Sequence, residues 1–63
     1  MCLATVYSNK DEGKETLLKN VISVRMVDGS WVFTDILGKS LAVKGELENI
    51  DLMQNFISIK ANA

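Results

Sequence analysis

Asp28-Gly29 lies between two runs that both read as strands, and it fixes more about the fold than any other pair in the chain. A two-residue connection of this type makes a type I′ turn, which needs positive φ at both positions and suits the right-handed twist of the strands it joins. On one side is Val21 to Val27, where Ile22, Val24 and Met26 alternate with Ser23 and Arg25. On the other is Ser30 to Ile36, with Trp31 and Phe33 on one face and Val32, Thr34 and Ile36 on the opposite one. Period-two alternation on both sides of the turn commits the middle of the chain to an antiparallel hairpin.

The remaining segments follow the same grammar. Cys2 to Ser8 carries apolar or β-favouring residues in both alternating sets and reads as a strand covered on two faces. The polar run Asn9 to Gly13 reads as a turn with Gly13 at positive φ, and Lys14 to Leu18 as a short return strand. Lys19-Asn20 reads as a break, and Asp35 to Lys39 as a turn around Gly38. Ser40 to Lys44 is a further strand, and Gly45 marks a bulge or sharp bend. Glu46 to Leu52 reads as irregular, with Leu47, Ile50 and Leu52 toward the core and room for a single helical turn. Met53 to Asn55 turns the chain into a closing strand, Phe56 to Lys60, before a short tail. Short strands, glycines at the corners and no proline predict an all-β fold, either a small barrel of five to six antiparallel strands or two curved sheets. Residues 1–63 form a single domain, because a chain this short has room for one core.

Size and charge narrow the function. A chain of 63 residues buries only about 60% of its unfolded surface, and one cysteine allows no internal disulfide. Self-association or a metal is the expected remedy. Seven basic against eight acidic residues give no cationic footprint, so neither nucleic acid nor an anionic membrane is an expected partner. No apolar run is long enough to span a bilayer, and the opening residues lack the pattern of a signal peptide, so a cytoplasmic location is expected.

The chemistry-bearing candidate is Cys2, the single cysteine in a chain without histidine. Without a histidine to serve as its base, the thiol is not expected to be a catalytic nucleophile, and the protein is not expected to be an enzyme. If the initiator methionine is removed, the Cys2 thiolate and its own α-amine become two donors spaced for a five-membered chelate ring. Sulfur with nitrogen suits Ni(II) or Cu(II) in square-planar or tetragonal geometry. One such residue fills half a square, and two chains meeting at Cys2 complete it. The competing reading makes Cys2 a small buried hydrophobe. Asp11, Glu12, Asp35, Glu46, Glu48 and Asp51 offer carboxylates for acid–base work or for Mg²⁺, but without a nucleophile beside them they read as turn and surface residues. Trp31, Phe33 and Phe56 are candidate stacking platforms for single-stranded nucleic acid, or else core.

At Met1-Cys2-Leu3-Ala4-Thr5-Val6-Tyr7 the chain resembles the CooT family, and the likeness continues through Asp28-Gly29, Thr34 to Gly38, Val43-Lys44-Gly45 and Ile50 to Ile59. The resemblance implies an SH3-like barrel forming a homodimer. It implies Ni(II) held at the dimer interface by the cysteine matching Cys2, and a role in nickel delivery or maturation for carbon monoxide dehydrogenase. The expected donors are the Cys2 thiolates with neighbouring main-chain nitrogens, that of Leu3 and, where the first residue is kept, that of Met1. The client would be a nickel enzyme or a maturation protein. The alternative is an RNA- or protein-binding β module without metal.

Overall fold

The computed structural model describes residues 3–10 and 13–62, apart from the side chain of Lys10. Its strands are β1 (Ala4–Lys10), β2 (Gly13–Val27), β3 (Ser30–Asp35), β4 (Ser40–Val43), β5 (Gly45–Asp51) and β6 (Phe56–Ala61). No helix occurs among the described residues, so none is long and apolar enough to cross a membrane. The strands form one sheet in the order β4-β3-β2-β1-β6-β5.

Two bent strands turn this sheet into a half-barrel. β2 pairs with β1 as far as Val21 and with β3 from Val21 onward, so one strand serves both halves of the sheet. The residues expected to break it, Lys19 and Asn20, lie within β2. Asn20 takes φ 58°, a left-handed value that asparagine tolerates better than most residues, and the strand bends there without ending. The second bent strand is β4 plus β5, the two edges of the sheet, separated by Lys44 alone. Edges joined through one residue lie within a few ångströms of each other at that point, which forces the sheet to curl.

Gly45 makes this corner. A Cβ there would collide with the carbonyl oxygen of Lys60 and stand 2.8 Å from Ala61 Cα, both backbone atoms of β6. The bend expected at Gly45 is therefore a point of close chain approach, closed further by Asn62 N–H donating to Lys44 O at 2.9 Å.

The Asp28-Gly29 hairpin forms as expected, with φ of 49° and 81°. It sets Val24 opposite Phe33 and Met26 opposite Trp31. The expectation of antiparallel pairing throughout needs correction, because β1 and β6 run parallel, with Thr5 opposite Phe56 and Ser8 opposite Ile59. Parallel neighbours need a long crossover, and here the whole intervening sheet supplies it. Glu46 to Asp51 belongs to a strand, β5, whose irregularity is a register shift between Leu47 and Asn49 that disrupts the alternation by which a strand is read. β1 begins at Ala4, runs on to Lys10 and is an inner strand of the sheet between β2 and β6, with Val6 and Ser8 buried on one face and Thr5 and Tyr7 half-buried on the other.

The core is small. Val6, Leu18, Val21, Phe33, Ile57 and Ile59 are buried, with Ala4, Leu17, Val24, Trp31, Leu41, Val43 and Leu47 packed around them. Ile50 and Leu52, expected inside, are 49% and 76% exposed. They lie where β5 leaves the sheet, at the open mouth of the curl.

Candidate metal centre

Cys2 and Met1 lie outside the described residues. The nearest described part of the chain is Leu3, half-buried, followed by the start of β1 at Ala4. Ala4 pairs with Val21, and Thr5 N–H donates to Asn55 O at 3.0 Å, which ties the beginning of β1 to both neighbouring strands.

Ala4 also lines a cleft. This opening of about 180 Å³ lies between Val21 to Val24 of β2 and the segments Ile50 to Leu52 and Asn55 to Ile57. Its walls are mostly apolar because it is the unfinished end of the half-barrel, where inward-facing side chains have no layer to cover them. Ile22 at 50% exposure adds to the apolar rim formed by Ile50 and Leu52. Such a rim is costly to leave in water and marks a surface suited to association.

The acidic candidates resolve into structural roles. Asp35 is buried, and its Oδ1 accepts the N–H groups of Leu37 and Lys39, both at 2.9 Å. Asp51 Oδ1 accepts from Met53 and Gln54 N–H at 3.0 and 2.8 Å. Each carboxylate thus closes the turn that follows its own strand, a local competition with the sheet ladder at which aspartate excels. Glu48 accepts from Asn9 Nδ2 at 2.9 Å. Among the described residues no three His, Cys, Asp or Glu side chains gather where they could hold an ion. Asp11 and Glu12 lie outside the described residues.

The aromatic candidates divide. Phe33 is fully buried, so it cannot stack on a base, and Trp31 is half-buried against the core. Phe56 packs edge-on to Tyr7, ring centroids 6.3 Å apart, on the outer face. Lys14 Nζ covers both rings at 5.4 and 5.6 Å from their centroids, a pairing sequence reading missed because it joins residues far apart in the chain.

A single curled sheet with a small core and an open apolar mouth defines the class: a small, partly open β-barrel protein. The chain matches the model of the CooT family, described as CO dehydrogenase accessory protein, over residues 1–60, and it belongs to that family. The crystal structure of a protein assigned as CooT from Carboxydothermus hydrogenoformans has the same fold, with a TM-score of 0.90 at 16% identity, covering 98% of this chain and 100% of that one. No curated protein matches the sequence.

Proposed function

We propose that this protein is a non-enzymatic accessory factor that carries Ni(II) for the maturation of a CO dehydrogenase. Membership of the accessory family over residues 1–60, a span that includes Cys2, is the observation that carries this reading. The ion is held between two copies, by the Cys2 thiolates and adjoining main-chain nitrogens: that of Leu3 and, if the first residue is kept, that of Met1.

The donor chemistry supports this. The chain has one thiol and no histidine, so a lone copy has too few soft donors for a closed site, whereas two copies bring two thiolates together with their main-chain nitrogens. Asp35, Glu48 and Asp51 are engaged elsewhere, which leaves an all-carboxylate site little support. Ala4, two residues from Cys2 along the chain, lines the cleft rimmed by Ile22, Ile50 and Leu52, and that rim offers a second copy something to bury. Nickel is the cargo, and the protein's task is to hold it and release it to a client in the cytoplasm.

Coordination needs deprotonated sulfur and nitrogen, so binding releases protons and weakens as pH falls. Titration of Ni(II) into the wild type should produce sulfur-to-nickel charge-transfer absorbance that Cys2→Ser lacks. Equal affinity in the two proteins would rule out the thiol as a ligand.

A further inference from the structure

Met53 and Met26 differ sharply in what surrounds their sulfur. Met53 is 94% exposed in the turn between β5 and β6, whereas Met26 is 52% exposed and stands opposite Trp31. The turn that carries Met53 is tied down at three points. Asp51 Oδ1 accepts the N–H groups of Met53 and Gln54, Asn55 takes φ 57°, and Asn55 O accepts the N–H of Thr5 at 3.0 Å. The last bond sets the turn against the start of β1, the strand whose first residue, Ala4, lines the cleft. Leu52, beside Met53 in the chain, lines the same cleft. An unshielded thioether thus stands at the apolar end of the protein, next to the rim.

We infer that Met53 is a site of reversible sulfoxidation by peroxides, and that its oxidation weakens the pairing of two copies at the rim. The second half rests on the pairing proposed above; the first does not. The sulfur lone pair attacks one oxygen of the peroxide and forms the S–O bond as the O–O bond breaks. With hydrogen peroxide, the departing hydroxide takes the proton of the transferred oxygen and leaves as water. Sulfur is oxidised by two electrons and the peroxide is reduced by two. The product is a polar side chain where an apolar one stood, and sulfoxide reductases reverse the change. On a single chain the new oxygen faces water at no cost. Covered by a second copy, it loses that water and must find a donor, so oxidation favours the unpaired form.

The test has two arms. In the Cys2→Ser background, where no thiol competes, peptide mapping after graded hydrogen peroxide compares the two sites. Met53 should gain its oxygen several-fold faster than Met26, and a methionine sulfoxide reductase should remove it. Equal rates, or a faster rate at Met26, overturn the assignment. Sedimentation velocity with Ni(II) then compares the wild type with Met53→Gln, whose amide imitates the sulfoxide, and Met53→Leu, which cannot be oxidised; Trp31 fluorescence checks that each is folded. The leucine variant should pair as the wild type does, and the glutamine variant should show a several-fold smaller share of two-chain species. Glutamine and leucine variants that pair alike overturn the effect of oxidation. If the wild type also stays single, the pairing reading itself fails, and the mapping arm still decides whether Met53 is the oxidised site.

Discussion

At the scale of single residues, two aspartates that resemble a catalytic pair on paper are turn closers of different weight. Asp35 is buried and Asp51 half-buried, yet each accepts two backbone N–H groups through one oxygen. Removing the acceptor leaves the donors unpaired, and the penalty grows with burial. Asp35→Ala should cost about 1–3 kcal/mol and Asp51→Ala about 1 kcal/mol or less. Urea unfolding followed by Trp31 fluorescence measures both, and a larger loss at Asp51 would contradict the assignment. These roles were partly legible, since aspartate at the head of a turn has a known local use. The cover of Tyr7 and Phe56 by Lys14 was not, because residues at positions 7, 14 and 56 meet only after three strands are in register.

At the scale of elements, local chemistry read well and non-local chemistry did not. The Asp28-Gly29 hairpin and the closing strand, β6, declare themselves through residues adjacent in sequence. The continuity of β2 through Asn20 was hidden because a polar pair looks like a stop, while the physical requirement was a left-handed residue at a bend. The parallel contact of β1 with β6 had no local signal, since nothing near either strand specifies a neighbour some fifty residues away. The corner between β4 and β5 depends on Gly45 lying against the backbone of Lys60 and Ala61, atoms that cannot step aside as a side-chain tip can. Gly45→Ala should therefore destabilise by about 1–3 kcal/mol through overpacking, with a lower urea midpoint at an unchanged slope. A stability equal to wild type would show that the corner relaxes freely.

At the scale of the whole molecule, the sheet encloses six buried apolar residues among those described and leaves Ile22, Ile50 and Leu52 at its open mouth. The curl explains both facts: two bent strands close one end of the half-barrel at Lys44–Gly45 and leave the other without a wall. Composition could say that a 63-residue chain would have a marginal core, but not where the uncovered part would lie. Ala4, at the start of β1, lines that uncovered part. For the proposed nickel role, pairing of two copies there is the central requirement. Native mass spectrometry of untagged protein purified with Ni(II) measures it directly. The account predicts a two-chain species carrying one nickel, and loss of that nickel in Cys2→Ser. Nickel bound to single chains, or retained by the serine variant, would contradict it.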